Sequence, residues 1–382
     1  MKIKKKHKLR KTSGPHIVGC TNFYYECNPD VKDDEKRVIP CMCFYPAKGI
    51  GEGKPKKYAS ESILPGAGGI KTNSYIKAPV CDGKHPLLLF NHGYSLFCEA
   101  NTVQCEELAS HGYIVLSIGH QGEGSYELPN GEILTVDAEM TGDFSADNKK
   151  LIEIIPEYIA WLSRKGKDAS IGEHREYYKI IIDSLPRMTA HLEFWIEDSL
   201  AALEMFLKEA KRKNTRFFNH VNKGNIGAFG MSYGGAAALS LTQVSDLVKA
   251  SANLDGFFFS SMWQKPIKKP IMVMNNDSPL GRNHLKFPFL NSENDAYMVT
   301  VKNSTHGNFA DYNEFLAENF VSKATLGDED VEQAMLGKID PGKMEDIINT
   351  LLLDFFNKYL KGKDSQVIDT ANLPDDVILF RK

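Results

Sequence analysis

The sequence predicts an α/β fold in which helices cover both faces of a mostly parallel sheet. The first observation is a pair of short apolar runs, at 86–91 and 113–118, which are typical of buried strands because they are too short for helices. A helical segment at 99–111 separates them, and this order forms a right-handed βαβ unit. The second observation is an apolar run at 225–231 that leads into a glycine-flanked serine, Ser232, and then into small helix formers, which indicates strand, sharp turn and helix.

The N-terminal part of the chain predicts antiparallel strands. Residues 16–27 and 37–45 are rich in β-forming residues and predict a hairpin with a charged connection at 30–36. A loop rich in glycine and lysine follows the hairpin. The basic segment 1–13 is interpreted as a solvated tail, and its alternative role is contact with an anionic membrane surface.

The second half of the chain continues the sheet. Strands are predicted at 225–231, 250–254, 270–275 and, as the last one, 296–301. An amphipathic helix at 344–360 is expected to pack on the core, with docking on a bilayer as the alternative. Because strands recur with helices between them, we expect one domain over 14–361, followed by a C-terminal extension at 362–382.

A helix-rich region from 147 to 213 is longer than an ordinary connection between two strands. Apolar residues at helical spacing between Leu192 and Phe206 can seat one helix on the sheet. The rest, about 147–190, is predicted to be a cap-like insert over the site. A peripheral helical decoration without substrate contact is the alternative.

Composition is compatible with an enzyme and disfavours several other classes. The 382 residues carry a net charge of -3, which provides no basic field for nucleic acid. No window has the length and apolarity of a membrane span or a secretory leader, so we expect a soluble, cytoplasmic protein, with secretion after trimming of a leader left open. The sequence has no zinc or phosphate-binding motif, so no metal or other cofactor is expected.

All seven cysteines lie in the first third of the chain, and none forms a Cys-x-x-Cys pair. An odd number of cysteines without a leader favours free thiols in a reducing compartment. One bridge, such as Cys20 to Cys27, is the alternative.

Ser232 is the candidate nucleophile, because a serine on so sharp a turn has its hydroxyl lifted above the sheet edge. A serine hydroxyl needs a base to take its proton, and only two histidines, His284 and His306, follow it in the sequence. His306 is favoured because it lies in a loop of small and polar residues directly after a predicted strand. His284 lies in an irregular basic stretch.

The base in turn needs a carboxylate, and two aspartates directly follow predicted strands. Asp255 follows the strand at 250–254, and Asp277 follows the strand at 270–275. Either could reach His306 from the carboxyl edge of the sheet. Strand topology does not decide between them, and the other aspartate would serve as a turn or cap residue.

Acyl transfer also needs donors for the developing oxyanion. The backbone N–H of Tyr233 is one candidate, and the N–H of Tyr94 is the second, because Gly93 allows a sharp turn after the first parallel strand. His92 is interpreted as structural. His120 either lines the pocket or forms hydrogen bonds within its loop.

Several segments together resemble the platelet-activating factor acetylhydrolase family, of the plasma and intracellular type II kind, within the α/β-hydrolase superfamily. The matching segments span most of 14–361 and read Gly14-Pro15-His16-Ile17-Val18-Gly19-Cys20-Thr21, Phe90-Asn91-His92-Gly93-Tyr94, Leu108-Ala109-Ser110-His111-Gly112-Tyr113-Ile114-Val115, Gly230-Met231-Ser232-Tyr233-Gly234-Gly235 and His306-Gly307-Asn308-Phe309-Ala310-Asp311. The order and spacing of these segments identify the resemblance, rather than any one of them.

The resemblance implies an α/β-hydrolase fold and a serine esterase that removes short acyl groups, notably the sn-2 acetyl of phospholipids, without a metal and with transient contact at a membrane interface. It also implies Asp255 as the acid, with Asp277 as the alternative. Met231 and Asn91 depart from the family pattern, which has histidine before the serine in animal members and Ser-His-Gly in the loop.

Two other functions stay open at this point. One is a broad-specificity carboxylesterase or lipase related to the dienelactone hydrolases, although that group typically carries cysteine at the position of Ser232. The other is a non-catalytic binding protein with the same fold. The sequence gives no indication of the oligomeric state.

Overall fold

The structure is a computed structural model that describes residues 7–27, 37–165, 168–316, 336–370 and 372–382. Its strands are β1 (His7–Lys8), β2 (Ile17–Cys27), β3 (Arg37–Ala47), β4 (Lys54–Lys57), β5 (Ile70–Ile76), β6 (His85–Asn91), β7 (Ile114–Ile118), β8 (Tyr126–Glu127), β9 (Ile133–Leu134), β10 (Val221–Met231), β11 (Val248–Leu254), β12 (Ile271–Asn275), β13 (Ala296–Val301) and β14 (Val377–Arg381). The predicted charged connection at 30–36 and the first residues of the predicted tail lie outside the described residues.

The helices occupy the connections between these strands. They are α1 (Thr102–Ser110), α2 (Ala138–Lys165), α3 (Ile171–Asp183), α4 (Pro186–Glu209), α5 (Tyr233–Val244), α6 (Lys286–Leu290), α7 (Tyr312–Leu316) and α8 (Pro341–Lys361). Within the part of the chain that the structure describes, none of them is both long and apolar enough to cross a membrane.

The central sheet has the order β1-β5-β2-β3-β7-β6-β10-β11-β12-β13-β14, and β4 pairs with β5. The six strands from β7 to β13 in this order run parallel. On one side, β3 is antiparallel to β7 and to β2. The predicted βαβ unit and the N-terminal antiparallel hairpin are therefore both present, and the carboxyl ends of the six parallel strands share one edge.

Both faces of this sheet are buried. Along β6, Leu87 and Leu89 join one buried cluster, while Leu88 and Phe90 join another on the opposite face. The first cluster includes residues of α3, α4 and α5, and the second includes residues of α1 and α8. A strand covered on both sides needs apolar residues throughout, which explains why these strands are continuous apolar runs rather than alternating ones.

The structure corrects several predicted boundaries. The predicted glycine- and lysine-rich loop contains β4 and β5, and β13 is not the last strand, because β14 pairs with it from the predicted C-terminal extension. Leu9, in the predicted solvated tail, is buried, and β1 pairs with β5. The helical insert begins earlier than predicted, at Ala138. These segments are short or polar, so their pairing partners rather than their own periodicity determine their structure.

Candidate active site

Ser232 lies on the tight turn between β10 and α5. Its backbone has φ 54° and ψ -123°, a strained conformation that a non-glycine residue rarely adopts. The neighbouring glycines make the turn sterically feasible. A Cβ at Gly230 would lie 2.1 Å from the carbonyl oxygen of Gly234, and a Cβ at Gly234 would lie 2.1 Å from the carbonyl oxygen of Asn91. The Gly-x-Ser-x-Gly pattern therefore follows from backbone contacts on both sides of the serine.

His306 contacts both Ser232 and Asp255. It begins the short helical turn His306–Phe309 that follows β13. Its Nε2 lies 2.9 Å from Ser232 Oγ, and its Nδ1 lies 2.7 Å from Asp255 Oδ2. With a proton on Nδ1, the imidazole donates to the carboxylate and accepts the serine hydroxyl. The structure thus joins the predicted nucleophile, base and acid in one chain of hydrogen bonds.

Asp255 directly follows β11, where its backbone has φ 58°, and its side chain is buried. The backbone N–H of Asn276 donates to Oδ1 at 2.8 Å, and the side-chain amide of Asn276 donates to Oδ2 at 2.7 Å. Burial opposes the charge of Asp255, but these hydrogen bonds, the one from His306 and the nearby imidazole of His284 together hold its pKa below the usual value. Asp255 is therefore an ionised partner for the imidazole.

The basicity of His306 follows from that partner. Burial lowers its pKa, but the hydrogen bond and the charge of Asp255 outweigh burial and raise the pKa above the ordinary 6.5. A raised pKa makes the imidazole a better acceptor for the serine proton.

The residues that the sequence offered as alternatives, Asp277 for the acid and His284 for the base, do not take part in this chain of hydrogen bonds. Asp277 accepts hydrogen bonds from the backbone N–H of Asn303 at 2.9 Å and from Arg282 Nε at 2.6 Å, and in the described part of the chain its carboxylate forms no hydrogen bond with His306. It therefore fixes the loop that leads to His306 rather than the imidazole itself. His284 is buried behind Asp255, with Nε2 3.7 Å from Oδ1, and its other ring nitrogen contacts the carbonyl oxygen of Gly281. The structure does not bring His284 into contact with Ser232.

The loop that carries Tyr94, one of the two predicted oxyanion donors, lies close to the serine, and Tyr233, the other, directly follows it in the chain. A Cβ at Gly93 would lie 3.4 Å from Ser232 Cβ, which shows how closely the loop after β6 approaches the nucleophile. The ring of Tyr94 contacts that of Tyr233 at 5.9 Å between centroids. Phe144 of α2 stacks on Tyr94 at 3.7 Å, so the helical insert contacts this loop directly.

His92 and His120 belong to a buried network beneath the nucleophile. His92 Nε2 contacts Tyr126 Oη at 2.6 Å. His120 contacts Asp198 Oδ2 at 2.9 Å and Asn91 Oδ1 at 3.0 Å. Burial lowers the pKa of each histidine to about 3, so both are neutral. His92 is structural, as predicted, whereas the imidazole of His120 bonds to α4 and β6, and only the backbone of His120 bonds within its own loop.

Two supporting residues, Asn276 and Glu123, were not predicted from the sequence. Asn276 orients Asp255, as described above. Glu123 accepts hydrogen bonds from Trp195 Nε1 at 2.6 Å and from His191 Nδ1 at 2.7 Å, and its backbone carbonyl accepts the N–H of Ser95. Glu123 therefore links α4 to the loop that carries Tyr94. No local motif marks these residues, because their partners are distant in the sequence.

The structure shows no group of three or more metal-binding side chains within the residues it describes. Cys20 is a free cysteine, so the alternative bridge from Cys20 to Cys27 is not formed.

Comparison with known proteins agrees with this geometry. The family model for platelet-activating factor acetylhydrolase, isoform II, matches residues 1–127 and 207–376, which is most of the chain. The chain belongs to the platelet-activating factor acetylhydrolase family. The unmatched stretch between the two segments contains the helical insert.

Relatives of this acetylhydrolase family member are distant in sequence. A platelet-activating factor acetylhydrolase of Gallus gallus is 23% identical over 94% of this chain and 85% of its own length. One of Cavia porcellus is 23% identical over 92% of this chain and 78% of its own length. Family membership makes the protein a carboxylic ester hydrolase.

Solved structures confirm the α/β-hydrolase fold. A ferulic acid esterase from Streptomyces cinnamoneus has a TM-score of 0.73 with this chain, at 17% identity, and covers 98% of this chain and 99% of its own. At this identity the likeness concerns the fold alone.

Proposed function

We propose that this hydrolase cleaves short-chain acyl esters, specifically the sn-2 acetyl or short acyl group of glycerophospholipids, through an acyl-enzyme on Ser232. The observation that supports this proposal most directly is the continuous hydrogen-bonded chain from Ser232 through His306 to Asp255. Family membership supports the choice of phospholipid esters.

In the acylation step, His306 Nε2 takes the proton of the Ser232 hydroxyl while Oγ attacks the ester carbonyl carbon. Asp255 holds the imidazole in the required tautomer and stabilises the imidazolium that forms. The backbone N–H groups of Tyr94 and Tyr233 donate to the oxyanion of the tetrahedral intermediate. His306 then gives its proton to the leaving alkoxide, which departs as the alcohol.

In the deacylation step, a water molecule attacks the acyl-enzyme. His306 takes one proton from this water and returns it to Ser232 Oγ as the acid is released. No metal or organic cofactor enters either step.

The preference for a short acyl group follows from the aromatic side chains near the nucleophile. Tyr94, Phe144 and Tyr233 form one packed group, with ring centroids 3.7 to 5.9 Å apart. Tyr233 is also bonded through its hydroxyl to the carbonyl oxygen of Met188, which holds its ring in place. Rings held by such contacts leave less room beside Ser232 than aliphatic side chains on a mobile loop.

The test is a comparison of initial rates on p-nitrophenyl acetate and p-nitrophenyl octanoate, with Ser232→Ala as the blank. We expect a steep preference for acetate. The same preference should hold between 1-alkyl-2-acetyl-glycerophosphocholine and its 2-palmitoyl counterpart. Equal or greater activity on the long acyl group would replace the proposal with a broad esterase or lipase, and failure of a fluorophosphonate probe to label Ser232 would indicate a binding protein.

A further inference from the structure

A cavity lies away from the nucleophile, between β2, β3, the β4 segment and the loop around β8. Its volume is about 730 Å³, which is within the range typical of small-molecule sites. Neither Ser232, Asp255 nor His306 lines it. This cavity, which we call the β2–β4 cavity, is therefore separate from the site described above.

Part of the wall of the β2–β4 cavity is apolar. The apolar side chains in this part belong to Cys20, Pro40, Met42, Ile63, Ile76 and Cys98. Ile76 is 41% exposed, although most large aliphatic residues of the strands are buried. An exposed aliphatic side chain inside a cavity is a surface that an alkyl chain can cover with a favourable change in free energy.

The rim of the cavity is positively charged. Lys54, Lys57 and Lys77 line it, and all three are exposed. Their ammonium groups have no carboxylate partner within 4 Å among the described residues. Glu99, one of the two carboxylates of the lining, is instead paired with the buried Lys56, at 3.3 Å. The remaining carboxylate of the lining is the exposed Glu127, so the rim keeps an excess of positive charge.

We propose that the β2–β4 cavity binds a single-chain amphiphile with an anionic head. The alkyl chain covers Ile76 and the apolar wall, and the head lies among the three lysines, whose long stems allow the ammonium groups to reach it. Two sources share this chemistry, namely a free fatty acid and an anionic lysophospholipid. This proposal does not depend on the hydrolytic function proposed for Ser232.

The cavity also has a structural connection to the nucleophile. Tyr126 lines the cavity, and its hydroxyl contacts His92 Nε2 at 2.6 Å and the backbone N–H of His120 at 2.7 Å. His92 is adjacent to Gly93, which packs against Ser232. A ligand in the cavity therefore contacts a residue that supports the loop beside the serine.

The experiment measures binding of the fluorescent fatty acid cis-parinarate to the full chain. We expect saturable binding that decanoate displaces and that uncharged 1-decanol displaces at least about tenfold less well. The variant Lys54→Gln/Lys57→Gln/Lys77→Gln should bind about tenfold more weakly, in line with three solvent-screened ion pairs. The matched control Lys249→Gln/Lys265→Gln/Lys268→Gln has the same change in net charge and should bind as the unchanged chain does.

A second variant fills the cavity. Asn22 lies on its lining and is exposed, so Asn22→Trp adds volume there without entering the core. We expect Asn22→Trp to lose at least about tenfold in affinity while it keeps the hydrolysis rate on p-nitrophenyl acetate and the unfolding midpoint. An unchanged hydrolysis rate and an unchanged unfolding midpoint would show that Asn22→Trp loses binding without losing its fold.

The outcomes distinguish the alternatives. Displacement by decanoate but not by lysophosphatidylglycerol identifies a fatty acid site, and the reverse identifies a lysophospholipid site. The proposal is overturned if neither displaces the probe, if 1-decanol competes as well as decanoate, or if Asn22→Trp and the lysine variant bind normally, since the probe would then occupy another site. If the protein binds cis-parinarate but hydrolyses no ester, the function proposed for Ser232 is refuted and the proposal for the β2–β4 cavity is not.

Discussion

The carboxylate of Asp311 accepts the backbone N–H of Thr102 at 2.6 Å, so a residue in the segment after His306 caps the helix that follows the Tyr94 loop. The same carboxylate accepts the hydroxyl of Tyr58 at 3.0 Å, and the backbone N–H of Asp311 donates to the carbonyl oxygen of Ala100. One buried side chain therefore joins the segment that carries His306 to the segment that leads from the Tyr94 loop.

Replacement of Asp311 by alanine should destabilise the protein markedly. The change removes the buried oxygens that accept the N–H of Thr102 and the hydroxyl of Tyr58, and each hydrogen bond lost in the interior costs about 1–3 kcal/mol. We expect a loss of about 2–5 kcal/mol in the free energy of unfolding, measured by urea titration. The control is Asp346→Ala, because Asp346 is 60% exposed and should contribute less than about 1 kcal/mol. Equal effects of the two variants would show that the capping role is unimportant.

Replacement of Ser232 by alanine should abolish ester hydrolysis. The hydroxyl is the attacking atom in the proposed mechanism, and we expect a loss of at least about 10⁴-fold in kcat. Steady-state rates on p-nitrophenyl acetate and labelling by a fluorophosphonate provide the measurement. The exposed Ser261 serves as the control, and Ser261→Ala should retain both rate and labelling. Undiminished labelling of Ser232→Ala would place the nucleophile elsewhere.

The two aspartates should respond differently to the same substitution. Asp255→Asn removes the charge that orients His306, and we expect kcat to fall by about 10⁴-fold, by analogy with other serine hydrolases. Asp277→Asn weakens contacts to Arg282 and to the loop at Asn303 but leaves the imidazole hydrogen bonds intact, so we expect a loss of less than about tenfold. A larger loss in Asp277→Asn would reverse the assignment of the acid.

The pH dependence of the rate should report His306. The base acts only when neutral, so kcat/KM should rise with pH as the imidazole loses its proton. Because Asp255 raises the pKa of His306, the midpoint of this rise should lie above 6.5. The residual activity of Asp255→Asn should have a lower midpoint, since the interaction that raises the pKa is removed. Asp277→Asn provides the control, in which no shift of the midpoint is expected. An unchanged midpoint in Asp255→Asn would mean that a group other than His306 controls the pH dependence of kcat/KM.

The parallel strands could be predicted from the sequence because both of their faces are buried. Continuous apolar runs such as 86–91 and 113–118 therefore mark them directly. The strand β4 (Lys54–Lys57) consists of three lysines and a proline and has no such signal, whereas β14 (Val377–Arg381) is a short, mostly apolar run that pairs antiparallel with β13 from the predicted C-terminal extension. These two strands depend on a partner that only the folded sheet provides.

The residues proposed for the chemistry could be found because each follows a strand in a recognisable local context, as Ser232 and His306 do. The choice of Asp255 over Asp277 needed the family resemblance, since both follow strands at the same edge. The supporting groups escaped prediction for a different reason. Asp198 contacts His120 across 78 positions of sequence, and no pattern in either segment indicates that pairing.

The pairing of β10 with β6 joins residues as distant in sequence as Leu87 and Ile226, whereas β2 and β3 pair across a short connection. Closing a long loop before its contacts can form costs conformational entropy, so the central pairing is expected to form later and more slowly than the N-terminal hairpin. Ser232 and its partners come together only when this central pairing is complete. The return of esterase activity after dilution from denaturant therefore marks the last stage of refolding, and it should lag behind any spectroscopic signal from the hairpin.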